Sequence, residues 1–419
     1  MQLWQPLTQH ATAPPPPVIA RAEGAYLYAA DGEKILDGIS SWWVTTHGHG
    51  HPAIRAAIAA QAEKLSQTIL ANFTHDAANE FIAELSEVTD SKFARVFLSD
   101  SGSTANEVAL KMAVGAWHHR GQPQRNKIIA FEHGYHGATL GATSLGARGV
   151  FSKPHEALLF DVIRIASPAM DSVACLAALE KILKEKQNEI AALIIEPLIQ
   201  GAGGMKFYNA AILDDITRIT HAAGAFMIFD EVMTGFGRTG TLFAHQQCRE
   251  LPDIMTLAKG ITGGFLPMGA TLASAEIFDA FYADDRASML FHSTSYTGNA
   301  LACAAAAANL RVWRDENTMQ KLTALNSAQQ KNIMRVKNIQ NPRAYGTIAA
   351  FEIENTDANY MADIGPRMQV FCLARGVLLR PLGNTVYIMP PYCTTAADLE
   401  HCYDIINEFL QQPSALRAA

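Results

Sequence analysis

Residues 253–264 read DIMTLAKGITGG, an apolar run that stops at a lysine and then turns through glycines. A charged amine at the end of a buried strand has to be solvated or paired, so Lys259 marks either a structural ion pair or a place where chemistry is done. The run has counterparts in ARVFLSD (94–100), KIIAF (127–131), DVIRI (161–165), AALIIEP (191–197), AFMIFD (225–230) and ATLAS (270–274). Short, continuous apolar runs separated by helical segments predict strands buried on both faces. The expected fold class is therefore α/β, a mostly parallel sheet with helices on both sides.

Outward from this centre the chain ends change character. After the extended polyproline stretch Pro14 to Pro17, GAYLYAADGEKILDG gives two short strands around an Asp31-Gly32 turn. Beyond the sheet pattern come a helical stretch near 298–330, strands in GTIAAFEIE and TVYIMPP, and a closing helix AADLEHCYDIINEFLQQ. The expected organisation is a large domain over 53–310, with segment 1–52 and segment 311–419 together forming a smaller α+β domain.

Charge and cysteines exclude several function classes. The 33 basic and 40 acidic side chains are interspersed without a lysine/arginine tract, which argues against nucleic acid as a partner. The six cysteines lack C-x-x-C spacing and sit in apolar or helical contexts, as reduced core thiols do. No apolar run is long enough for a membrane span, and the N-terminus lacks a signal-peptide pattern. The expected setting is cytoplasmic.

In an open α/β sheet ligands bind beyond the carboxyl ends of the strands, and four such ends carry polar residues. After FLSD, Ser101-Gly102-Ser103-Thr104 opens a helix, whose free amides and hydroxyls make a phosphate cradle; a capping serine in a tight turn would look the same. Tyr135, in FEHGYHGAT, could stack on a planar ligand or serve as an ordinary core or surface tyrosine. Asp230 ends an otherwise apolar strand, where its carboxylate needs a cation or donors, though a helix-capping aspartate competes. Lys259, partly desolvated, would have a depressed pKa and act as an amine nucleophile. Phosphate cradle, aromatic stack, carboxylate and lysine converge on one cofactor, pyridoxal phosphate.

The motifs FDEVMTGFGRTG, AKGITGG, GYHGAT, IIEPLIQGAGG and SYTGNALACAAA, in this order, resemble the class III (ornithine-type) aminotransferases of fold type I. ISSWWVTTHGHGHP (39–52), LIQGAGGM (198–205) and GVLLRPLGNTVYIMPP (376–391) are similar to the subgroup that aminates 8-amino-7-oxononanoate in biotin synthesis. The resemblance implies that Lys259 carries the cofactor covalently and then moves the reacting proton, while Asp230 keeps the pyridine nitrogen protonated. It further implies that Gly102 and Ser103 hold the phosphate, with Thr294 or Ser295 of a neighbouring subunit completing that site, so the enzyme would be an obligate homodimer. Tyr135 would lie on the ring and near substrate. Trp42 would wall the substrate chain, Arg380 would fork its carboxylate, and Ser293 and Tyr387 would join the substrate contacts.

Ornithine-type members carry a glutamate after QG and an arginine shortly before the final PP; this chain has Ala202 and Tyr387 there, so glutamate is disfavoured as donor. The subgroup that uses S-adenosylmethionine has a tyrosine in W-x-P-Y-T and a G-P-T, against Leu7 and Ser293-Thr294-Ser295 here, so lysine stays open as donor. An ω-amino acid or diamine transaminase is the nearest alternative. A dehydrogenase is disfavoured because no G-x-G-x-x-G follows an early strand, and a protein that only binds is disfavoured by Lys259 and Asp230 occurring together. His47, His49 and His51 read as structural rather than metal ligands, and Glu107 with Lys111 as a helix ion pair. Arg238 fits either a carboxylate contact or packing; Glu196 falls close to the cofactor.

Overall fold

The computed structural model describes residues 1, 3–89, 91–354 and 360–412. All seven apolar runs form one sheet, in the order Arg95–Ser99, Gly269–Ala273, Ile254–Leu257, Phe226–Asp230, Ile190–Ile195, Lys127–Phe131, Ile163–Ile165. Six strands run parallel, and Gly269–Ala273 is antiparallel to both its neighbours.

Side-chain alternation explains why both faces are covered. Ile128, Ile194, Ile228 and Ile254 point to the face packed by Val108, Met112 and Trp117 of the helix Gly102–His119. Ile129, Leu193, Met227 and Phe229 point to the other face, against Leu179 and Leu183 of Ser172–Lys186 and Leu213 and Ile216 of Ala210–Ala222. Strands wetted on neither side must be apolar at every position, as Ile190–Ile195 is. Each of its isoleucine and leucine side chains contributes about 1.5–3 kcal/mol by burial.

The chain ends meet in a four-stranded sheet, Ile19–Glu23, Tyr26–Ala29, Lys34–Asp37 and Val377–Leu378, in which Leu36 pairs with Val377 and Asp37 with Leu378, in parallel. Ile339–Tyr345, Ile348–Ile353 and Thr385–Ile388 form a three-stranded antiparallel sheet. The helical stretch near 298–330 is two helices, Ala300–Asp315 and Thr318–Ile333, broken where Asn317 takes a left-handed φ of 51°. Among the described residues no helix is long and apolar enough to cross a membrane.

Candidate active site

The carboxyl edge of the sheet assembles the site. Asp230 is the last residue of its strand and lies in register with Thr256 of the next, so Lys259, in the turn after Ile254–Leu257, emerges beside it. Lys259 itself has φ 45°, a backbone strain of the sort that gathers at functional positions. At the third edge position, Ser101 caps the helix Gly102–His119 by accepting from Thr104 N, and Thr104 Oγ1 accepts from Ser101 N in return. That reciprocal cap leaves Gly102 and Ser103 at the helix's positive end. A side chain at Gly102 would come within 2.5 Å of Val232 Cγ1, and one at Gly137, whose φ is 135°, would collide with Ser103. Backbone therefore approaches closely from both sides of the cradle.

One cavity of about 550 Å³ is lined by Lys259, Asp230, Tyr135, Gly102, Ser103, Trp42, Arg380 and Tyr387 together, with Ala202 and Leu7 also on its wall. Lys259 Nζ sits 4.9 Å from the Trp43 ring centroid, and the Arg380 guanidinium carbon 4.9 Å from that of Trp42. Desolvation lowers the Lys259 pKa, opposed by Asp230 and Glu196 and reinforced by Arg238, which favours the neutral, nucleophilic amine. Asp230 is only 3% exposed yet well satisfied: Oδ2 accepts from His136 Nδ1 at 2.7 Å and Asn106 Nδ2 at 2.8 Å, and Oδ1 from Val232 N at 3.1 Å. Asn106 is fixed in turn by donating to His136 O and accepting from Thr256 Oγ1. Glu196 also lines the cavity and accepts from Tyr135 N and Gly201 N; burial pushes its carboxyl up to about 7. Burial likewise raises the phenols of Tyr135 and Tyr387, the latter accepting from Trp43 Nε1 at 2.9 Å.

Thr294 and Ser295, expected at a neighbouring subunit's site, lie outside this chain's own cavity, as does Ser293: Ser293 and Ser295 are exposed, Ser295 O accepts from Gln67 Nε2, and Thr294 N donates to Thr297 Oγ1. Arg238 is 1% exposed, and its two Nη atoms donate to the carbonyls of Trp43, Thr45 and Pro390, so it packs the Trp43 loop and is not on the cavity wall. Glu107 does not pair with Lys111; it accepts from Thr139 Oγ1, Gly141 N and Ala142 N, while Lys111 Nζ meets His292 Nδ1. His49 and His51 are tied to Asp37 and Glu316, and His47 is buried among Trp313 and Tyr392.

Sequence reasoning overlooked Asn106, His136 and Trp43. Asn106 stands one helical turn past Gly102, and His136 directly follows Tyr135; both were visible as polar residues beside positions already singled out. Trp43 rather than Trp42 lies by Lys259, because the turn that carries them throws successive rings to different ends of the cavity.

A desolvated amine, a fully hydrogen-bonded buried carboxylate on the next strand and a close-backed helix start together fit pyridoxal phosphate. The family model of class III aminotransferases matches residues 8–410. The chain is 43% identical, over 98% of each chain, to an adenosylmethionine-8-amino-7-oxononanoate aminotransferase of Synechococcus elongatus, and 37% identical to a Helicobacter pylori protein of the same name, over 98% of this chain and 96% of that one. The crystal structure of another bearing that name, from Methanocaldococcus jannaschii, superposes with a TM-score of 0.93 at 30% identity, covering 99% of this chain and 96% of that one. An amine transaminase from an uncultivated Pseudomonas species, in its PLP-bound form, gives 0.89 at 31% identity, covering 97% of each. The chain belongs to the class III aminotransferases, and it is a pyridoxal-phosphate-dependent transaminase.

Proposed function

We propose that this chain transfers an amino group to the ketone of 8-amino-7-oxononanoate, giving 7,8-diaminononanoate for biotin synthesis, with S-adenosylmethionine as donor and lysine as the substitute donor. The carrying observation is the Trp42–Arg380 pair, 4.9 Å apart, on the wall of the cavity that holds Lys259. A guanidinium over an indole can fork a carboxylate while the ring walls an alkyl chain, which suits an oxo acid whose carboxylate ends an apolar tail. Ala202 and Tyr387 supply neither a carboxylate nor a guanidinium for a common amino acid. The names of the relatives support both substrate and donor.

Bound pyridoxal phosphate supplies an electron sink that makes a carbon-bound proton of the amine labile. The Lys259 amine would hold the cofactor, and its Nζ would take up and return that proton. Asp230, its second oxygen anchored by His136 and Asn106, holds a proton on the pyridine nitrogen. Gly102 and Ser103 bind the phosphate through backbone N–H groups at the helix start. Tyr135, on the cavity wall, would shield the bound cofactor from water, and Arg380 would orient the acceptor.

Thr294 and Ser295, outside their own chain's cavity, suit completion of a second subunit's phosphate site, so the working unit is a homodimer, in the cytoplasm. Segments 1–52 and 311–419 form the smaller domain and bring the Trp42–Arg380 wall to the large domain 53–310.

Purified protein loaded with cofactor should convert 8-amino-7-oxononanoate to the diamine with S-adenosylmethionine or lysine; no turnover with any donor would reject the reading. The second reading, an ω-amino acid or diamine:pyruvate transaminase, is favoured by Leu7 on the cavity wall and by the similarity to the amine transaminase. It predicts faster turnover with β-alanine or a polyamine.

A further inference from the structure

The turn carrying both active-site tryptophans is not held by backbone preference. Ser40, Ser41 and Trp43 have φ of 52°, 58° and 68°. Left-handed conformations are uncommon for such residues and persist where the surroundings over-determine them.

Arg238 holds the far end of the turn through the carbonyls of Trp43 and Thr45, and Ser40 Oγ donates to Met389 O; at its start the over-determining group is Asp37, the last residue of strand Lys34–Asp37 and fully buried. Oδ1 accepts from Ser41 N at 2.8 Å and Ile39 N at 3.3 Å; Oδ2 accepts from Ser41 Oγ at 3.0 Å and lies 2.9 Å from His49 Nε2. Both oxygens thus grip the turn from beneath, and Asp37 is absent from the cavity wall. The turn's products all face that cavity: Trp43 against Lys259 Nζ, the Trp43 Nε1 bond to Tyr387, and Trp42 under Arg380.

We propose that Asp37 is a positioning residue: through the 39–43 turn it sets the places of Trp43 against the Lys259 amine and Trp42 against the Arg380 guanidinium. The inference rests on the reading of this cavity as an oxo-acid transaminase site. In Asp37→Asn one oxygen becomes a donor and can no longer accept from the groups it now receives; Ser41→Ala removes one bond and leaves the carboxylate. A matched control is Asp253→Asn, another carboxylate accepting from a backbone N–H and near a histidine, at the far edge of the sheet.

Three measurements decide it. Asp37→Asn should raise KM for 8-amino-7-oxononanoate about tenfold, and Ser41→Ala by a smaller factor, while the yellow colour and borohydride trapping of Lys259 persist. The cofactor-free Asp37→Asn protein should lose sharp tryptophan bands in near-ultraviolet circular dichroism, and Asp253→Asn should show neither change. KM within about twofold of wild type in both variants, an equal KM rise in Asp253→Asn, or an unaltered indole spectrum would overturn the proposal. Wild-type protein inert toward the oxononanoate would instead reject the substrate reading, and the cofactor-free spectra would still decide the role of Asp37.

Discussion

Asp230→Asn changes almost no volume, so its consequences come from charge and protons. The carboxylate accepts on both oxygens, from His136 and Asn106 on one and Val232 N on the other. An amide has a single oxygen. Turned toward His136 and Asn106 it aims its NH₂ at the Val232 N–H; turned the other way it faces two donors. The better orientation therefore loses one buried hydrogen bond, about 1–3 kcal/mol of stability. On the proposed role of Asp230 at the ring nitrogen, the catalytic loss should be larger, because the negative charge that would keep that nitrogen protonated disappears. Removing one preorganised electrostatic partner in a water-excluded site costs about 2.7–4 kcal/mol, or 10²–10³ in rate. Stopped-flow bleaching of the yellow holoenzyme by donor amine measures the rate, and a melting curve of the cofactor-free protein measures the stability. A variant within about threefold of the wild-type rate would refute the role assigned to this carboxylate.

Lys259→Ala should abolish covalent attachment, so borohydride treatment followed by peptide mapping finds no labelled lysine; a label on another lysine would displace Lys259 from its role. Arg380→Ala should raise KM for the oxononanoate by about 2–5 kcal/mol equivalent, tens of times or more, with kcat changed far less, and Arg380→Lys should recover part of it; steady-state kinetics separates the cases. Burial raises the Glu196 carboxyl from 4.5 to about 7, so between those values the folded chain holds a proton that the unfolded chain has released. Its contribution to stability is thus full below about pH 4.5 and lost as pH rises through about 7. Melting temperatures of cofactor-free Glu196→Gln across that range should show a flatter decline than wild type.

The sheet was legible because strands covered on both faces permit no polar interior, and a charged residue among such runs announces a strand end; Lys259 and Asp230 stood out for that reason. Direction was not legible. GATLA (269–273) is as apolar as its parallel neighbours, and only the short link from Lys259 to Gly269 hints at a reversal. Strand Ile339–Tyr345 escaped notice because it is an edge with exposed Gln340, Asn341 and Pro342 and no apolar alternation. Helix Ile364–Leu373 escaped because Gly365 and Pro366 occupy its first turn, where they are tolerated. In the site, polar residues that end apolar runs were readable, whereas Asn106, which holds Asp230, Asp37, which holds Ser41, and Trp43 beside Lys259 were not, because no local pattern says which buried group a side chain will meet. Glu107 and Lys111 had helix spacing for a pair, but the amides of Gly141 and Ala142 presented Glu107 with better donors.

The parallel pairing of Lys34–Asp37 with Val377–Leu378 also sets an order of assembly during synthesis. A ribosome that has released the first 275 residues has supplied every strand of the seven-stranded sheet, the lysine turn and the helix start at Gly102, yet strand Lys34–Asp37 still lacks its neighbour Val377–Leu378. The Trp42 wall then faces no arginine until Arg380 emerges, about a hundred residues later. A nascent chain therefore holds Lys259 and Asp230 well before the Trp42–Arg380 wall of the cavity can form.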